Sequence, residues 1–163
     1  MSEEYVQGNF LGLPEKGSEV DVAILQLPFE LTTSYGQGTA GGPAACITAS
    51  AQVELFDASL GEDLPAGATL FTAPEWDAEG NSLAEQLDNM SGYLRPWYAG
   101  DCFPLILGGE HGILPPLVYA AQHHPVVGGD IKRLTVVQND AHADLREQLD
   151  GLSLIHISEP TRL

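Results

Sequence analysis

Three short apolar runs constrain this chain most: Val20 to Leu27, Phe103 to Leu107 and Leu134 to Val137. Each stops at residues that favour loops, and none is long enough to cross a bilayer. All three read as strands: Phe103 to Leu107 is expected to be buried, and Leu134 to Val137 to be buried on both faces, the habit of parallel sheets. Between them lie helix signals. Pro43 fits the first turn of a helix running to about Ala51. Asn81 is a candidate cap for a helix to about Tyr98, with Leu83, Leu87, Met90 and Leu94 at core spacing and Pro96 blurring its end. A further helix is expected from about Pro115 to His123. Val53 to Phe56 and Ala68 to Ala73 read as lesser strands. Residues 1 to 19 are expected to wrap the surface, and Trp76, Trp97 and Tyr98 to serve packing. Strand, loop, helix, strand is the grammar of an α/β fold with a mainly parallel sheet and covering helices.

The ends of two of these runs carry chemistry. Leu134 to Val137 leads into Gln138-Asn139-Asp140-Ala141-His142-Ala143-Asp144. In extended backbone, Asp140, His142 and Asp144 project to one side, because strand side chains repeat every second residue. Phe103 to Leu107 leads into Gly108-Gly109-Glu110-His111. Ligands of open parallel sheets bind at the carboxyl ends of strands. If the two strands are neighbours, His111, Asp140, His142 and Asp144 meet there, and a divalent cation is their natural partner. One Asp or His at a strand end commonly serves as a turn former or cap. Three in strict alternation, with a fourth delivered to the same edge, favour coordination. His123 and His124 fall at a helix C-terminus, where an imidazolium suits the helix dipole, and carry no catalytic role in this reading.

The Gly- and Thr-rich stretch from Phe29 to Gly42 matches neither the dinucleotide fingerprint nor the P-loop, which discounts nucleotide binding. It is placed to line a pocket at the end of the first strand. Twenty-three acidic residues against 6 basic ones give a net charge of −17, which repels nucleic acid and anionic membranes and attracts cationic solutes. A hydrophobic fraction of 44% fits one globular domain. Cys46 and Cys102 form no disulfide framework and no zinc spacing, and buried reduced thiols are expected. Met1-Ser2-Glu3-Glu4 lacks the features of a signal peptide, so a soluble cytoplasmic protein is expected.

Gly108-Gly109-Glu110-His111 and Asp140-Ala141-His142-Ala143-Asp144 resemble the two N-terminal metal motifs of the ureohydrolases, the arginase and agmatinase family. Pro28-Phe29, Thr33-Ser34-Tyr35 and Gly41-Gly42-Pro43 resemble that family's early substrate-side loop and the helix after it. Gln52 to Asp57 and Asp144-Leu145-Arg146-Glu147 are similar to the agmatinase-like branch. The resemblance implies the N-terminal half of a three-layer α/β/α sandwich with a mainly parallel sheet. It implies a binuclear Mn²⁺ centre: His111 and Asp144 on one ion, His142 on the other, Asp140 bridging and Asp144 close to both. Mixed oxygen and imidazole ligation suits Mn²⁺. A hydroxide shared by the ions would then attack the guanidinium carbon of a small cationic, agmatine-like substrate and release urea and an amine. Homo-oligomers are common in the family. The pattern departs at Gly112, where Ser is usual, and at Gln138 and Asn139, where His or an aromatic is frequent; these positions flank the ligands.

The family continues to a second acidic motif, of Asp-x-Asp type, that has no counterpart here. Instead the chain runs Leu152-Ser153-Leu154-Ile155-His156-Ile157-Ser158-Glu159-Pro160-Thr161-Arg162, which reads as the codon-for-codon translation of a transposon-type sequencing adaptor. The expected organisation is therefore residues 1–151 as the N-terminal part of one ureohydrolase domain and 152–163 as a non-native tail. Lacking two carboxylate ligands, such a chain is expected to be catalytically poor, with the activity belonging to its full-length parent. Two alternatives stay open: a metal-dependent deacetylase, a group that shares the arginase-like fold, and a non-catalytic ureohydrolase-like binding protein.

Overall fold

A computed structural model describes residues 5–31, 33, 36–80, 82–140, 148–149 and 152–153. Its central strand, β1, is Val22–Leu27. The strand expected there forms, and Ala23, Ile24, Leu25 and Leu27 are fully buried, so it is covered on both faces. Strand β4 (Leu70–Thr72) pairs with one edge of β1 and β5 (Phe103–Gly108) with the other, both parallel. The register sets Ile24 beside Thr72 and Leu105, and Leu27 beside Gly108. Between β1 and β4 lie helix α1 (Gly42–Ser50) and an antiparallel pair, β2 (Phe56–Asp57) and β3 (Glu62–Asp63). The short strand expected at 53–56 is displaced into this pair. Asp57 Oδ1 accepts from the Ser59 and Leu60 N–H groups at 2.7 and 3.1 Å, closing a tight turn that brings the chain back.

Strand alternation gives the sheet two faces. On one, Ala23, Leu25, Leu27 and Phe29 meet Ala73, Trp76, Met90, Leu94 and Ala120. That core joins the sheet to helices α2 (Leu83–Ala99) and α3 (Leu114–Ala121). Trp76 Nε1 donates to Asn89 Oδ1 at 2.9 Å, which lets the indole be buried without an orphaned N–H. Trp97 stacks on Phe71 at a ring separation of 5.6 Å. The other face carries Ile24 and Thr72. There the Phe10 N–H donates to Thr72 Oγ1, and the adjacent Leu11 N–H donates to Ser50 Oγ of α1. The N-terminal segment thus ties α1 to that face, as expected of a surface wrap. Helices on both faces of a parallel sheet make the α/β sandwich arrangement.

Helix α2 begins one residue later than the Asn81 reading requires. Its cap is Ser82, whose Oγ accepts from the Glu85 N–H at 3.3 Å, and Ser-x-x-Glu is the spacing of a capping box. Asn81 lies outside the described residues. Pro96 does not end the helix, which continues to Ala99. A proline costs the bond to the carbonyl four residues earlier, here Gly92.

Three expectations of burial are overturned. Phe103 and Leu105 of β5 are 65% and 36% exposed. By register they lie on the Ile24 face, at the edge of the described sheet. Leu134 to Val137 forms no strand; Val136 is 43% and Val137 88% exposed. Among the described residues no strand lies beside 134–140, and a lone strand can neither pair its backbone nor bury its side chains. Cys46 is exposed on α1 rather than buried, while Cys102 is half-buried; both are free thiols. Two backbone pairs complete the description: β6 (Gln148–Leu149) runs antiparallel to β7 (Leu152–Ser153). No helix among the described residues is long and apolar enough to cross a membrane.

Candidate metal centre

The carboxyl ends of β1 and β5 lie side by side, and the chain after each continues the pairing. The Gly109 N–H donates to the Leu27 carbonyl and the Glu110 N–H to the Phe29 carbonyl, both at 3.1 Å. This close approach explains the two glycines. A Cβ on Gly108 would strike the Ile113 side chain, and one on Gly109 would strike the Phe29 carbonyl and lie 3.1 Å from the Thr39 carbonyl. The sequence motif is therefore a packing requirement as well as a chemical signature. After Glu110 the chain turns at His111–Ile113 and enters α3, so His111 stands where the sheet hands over to a helix.

His111 Nδ1 lies 3.6 Å from Asp140 Oδ2. The imidazole is 76% exposed and the carboxylate side chain 23% exposed. These two residues belong to the two separate motifs singled out in the sequence, and the fold brings them together. It does so without the neighbouring strand that the sequence reading assumed. His142 and Asp144 lie outside the described residues. Among the described residues no cluster of three or more His, Cys, Asp or Glu side chains forms.

The pair that is described suits a divalent ion. An imidazole nitrogen and a carboxylate oxygen are both good donors to Mn²⁺ or Zn²⁺. Ligand atoms each about 2.1 Å from one ion sit roughly 3 to 3.6 Å apart for angles between about 90° and 120°. The observed separation falls at the wide end of that range.

Two carboxylates that the sequence reading did not single out shape the surroundings. Glu30, just after β1, accepts from the Gly38 N–H with both oxygens, at 2.8 and 2.9 Å, and from the Ala40 N–H at 2.9 Å. The Ala40 and Gly38 amides hold its carboxyl below the usual glutamate range, against a smaller opposing effect of burial. Glu110 Oε1 accepts from the Leu31 N–H at 3.2 Å. The signal for Glu30 was an acid at the mouth of a Gly-rich loop, where unpaired N–H groups need an acceptor. His123 Nδ1 lies 3.1 Å from the Tyr119 carbonyl, and His124 Nδ1 accepts from the Val126 N–H, so both have local structural roles.

Comparison with known proteins bears on the family of the chain. The Arginase family model matches residues 20–161. An N(1)-aminopropylagmatine ureohydrolase from Synechocystis is 33% identical over 138 residues, covering 82% of this chain and 44% of that protein. An agmatinase from Bacillus cereus is 32% identical over 145 residues, covering 88% and 47%. The crystal structure of a putative agmatinase from Clostridium difficile superposes with a TM-score of 0.69 at 21% identity, over 82% of this chain and 46% of that one. The chain spans about half the length of the curated relatives it matches.

Proposed function

The chain belongs to the arginase family, and from that premise we propose that the protein it forms part of hydrolyses the guanidino group of a small cationic substrate to urea and an amine. Members of the family are metal-dependent hydrolases of C–N bonds in amidines. The curated relatives are named for agmatine and N(1)-aminopropylagmatine, and an agmatine-like compound is the substrate proposed here. The single observation that carries the proposal is the convergence of His111 and Asp140 at the carboxyl end of the sheet.

In this reading His111, Asp140, His142 and Asp144 would hold Mn²⁺, with Asp140 and His111 the pair that the fold brings together. When bound, the ions supply a water acidified enough to act as hydroxide near neutral pH. The protein's own contributions are orientation and charge. The turn after Gly109 fixes the position of the His111 ring, and Asp140 supplies an acceptor-only group beside it. The carboxylates and the overall charge of −17 draw in a guanidinium and oppose anionic competitors. The relatives' names favour this over the deacetylase reading. The coverage of about half supports a second element of the proposal: the 163-residue chain alone is catalytically poor, and homo-oligomeric assembly and full activity belong to the longer protein.

The test is urea release from agmatine with added Mn²⁺, comparing this chain with the chain continued through its uninterrupted reading frame. The longer protein should release urea and should lose at least about a hundredfold in rate on Asp140→Ala. An undiminished rate in that variant refutes the assignment. Urea release by the 163-residue chain at the longer protein's rate refutes its description as a poor catalyst.

A further inference from the structure

We infer that Glu30 and Glu110 are positioning residues that clasp the 30–40 loop to the segment carrying His111, so that the loop and the imidazole are set as one unit. Four contacts support the clasp. Glu30 gathers the Gly38 and Ala40 N–H groups and so folds the far end of the loop back toward its start. The carbonyl of Thr39, between them, then faces Gly109, where a Cβ would lie 3.1 Å from it. Just beyond, a Cβ on Gly42 would lie 3.3 Å from the Gly108 carbonyl. At the near end, Glu110 accepts from the Leu31 N–H, while its own N–H donates to the Phe29 carbonyl. The far end of the loop therefore bears on Gly108 and Gly109 through backbone contact, and the near end on Glu110 through one carboxylate bond and one backbone bond, while the Glu30 carboxylate acts within the loop to set Thr39.

The consequence is directional. Releasing Glu30 frees the 38–40 turn, which removes the Thr39 contact from Gly109 and loosens the Leu31–Glu110 bond. The residue after Glu110 is His111, whose ring is mostly exposed and lies 3.6 Å from the Asp140 carboxylate. This inference rests on the proposed role of His111, but its structural half can be measured without metal.

The experiment is ¹⁵N–¹H spectroscopy of the 163-residue chain and of Glu30→Ala, Glu30→Gln and Glu110→Gln, with the His111 ring signals assigned through His111→Ala. In Glu30→Ala, amide exchange at Gly38 and Ala40 should rise by at least about tenfold, and exchange at Leu31 and Gly109 should rise with it. The His111 ring signals should shift while those of His123 and His124 stay in place. Glu110→Gln keeps an acceptor oxygen and should preserve slow exchange at Leu31. Faster exchange confined to Gly38 and Ala40, with the His111 signals unmoved, overturns the clasp. Should Glu30→Ala fail to fold, Glu30→Gln, which retains one acceptor oxygen, is judged by the same pair of outcomes. A Mn²⁺ titration separates the two readings. If the chain continued through its uninterrupted reading frame takes up no Mn²⁺ yet Glu30→Ala moves the His111 signals, the clasp stands and the metal assignment falls. If both bind Mn²⁺ equally and the signals do not move, the clasp falls.

Discussion

Replacing Gly109 by Ala should be among the most damaging single-methyl additions this chain can suffer. The new Cβ would enter the space of the Phe29 carbonyl, and the Thr39 carbonyl closes a second side at 3.1 Å. Both obstacles are backbone, so no side-chain rotation can relieve them. The strands must part locally, which sacrifices the Gly109-to-Leu27 and Glu110-to-Phe29 hydrogen bonds. Two such bonds contribute about 1 to 3 kcal/mol, and overpacking adds about 1 to 3 kcal/mol. The expected loss is about 4 kcal/mol, a large share of the roughly 5 to 15 kcal/mol that holds a domain together. With a urea slope of about 2 kcal/mol per molar, the midpoint should fall by about 2 M. Tryptophan fluorescence reports it, since Trp76 sits in the core. Gly92 is the control: it is exposed within α2 and a Cβ there meets nothing within 4 Å. Gly92→Ala should stabilise by up to about 1 kcal/mol through helix propensity alone. If Gly109→Ala changes stability by less than about 0.5 kcal/mol, the close approach of the two loops is wrong.

Other perturbations separate folding from site chemistry. Ser82→Ala removes the acceptor for the Glu85 N–H and should cost about 1 kcal/mol by thermal unfolding, with the helix otherwise unchanged in circular dichroism. Leu94→Ala empties a fully buried position in the main core and should cost about 2 to 5 kcal/mol in urea titration. His111→Ala should leave the unfolding midpoint within about 0.5 kcal/mol, because the ring is mostly exposed, while Mn²⁺ uptake measured by electron paramagnetic resonance is lost. The depressed Glu30 carboxyl gives a pH signature. Its contribution to stability is complete above the ordinary value of 4.5 and is lost as the pH falls through its lower folded value. Glu30→Gln should therefore flatten the acid limb of a stability–pH curve and leave the curve near pH 7 parallel to that of the unaltered chain.

The parts of the fold legible in the sequence are those whose partners lie close by or whose pattern is long. β1 was readable because Val20 to Leu27 is apolar apart from Asp21 and Gln26 and stops at Pro28, and the strand it forms is buried. α2 was readable from Leu83, Leu87, Met90 and Leu94, of which Met90 and Leu94 are fully buried. Its boundary was misread because Asn81 and Ser82 are both good caps, and only the reach of Ser82 Oγ to the Glu85 N–H decides between them. Glu30 escaped notice for a different reason. A carboxylate that binds backbone N–H groups leaves no spacing pattern, since its partners, Gly38 and Ala40, are defined by where the loop folds and not by their side chains.

The same distinction governs the candidate site. Hydrophobic patterning states which residues can be buried, but burial also needs a neighbour that the pattern does not name. For β1 the neighbours β4 and β5 are both present, and pattern and burial agree. For β5 a neighbour is present on one edge alone among the described residues, and Phe103 and Leu105 remain exposed. Residues 134–137 have no sheet neighbour among the described residues, and their pattern finds no expression as a strand. Asp140 nonetheless reaches His111, so the meeting of the two motifs does not depend on pairing between their strands. What delivers it is the path of the chain out of α3 and through the turn at Ile131–Arg133, where Asp130 caps the Lys132 N–H at 3.1 Å. The meeting of His111 and Asp140 was therefore easier to read from residue types than the architecture that achieves it: the Asp-x-His-x-Asp alternation and the Gly-Gly-Glu-His turn single out both residues, whereas whether 134–137 forms a strand depends on surroundings outside its own sequence.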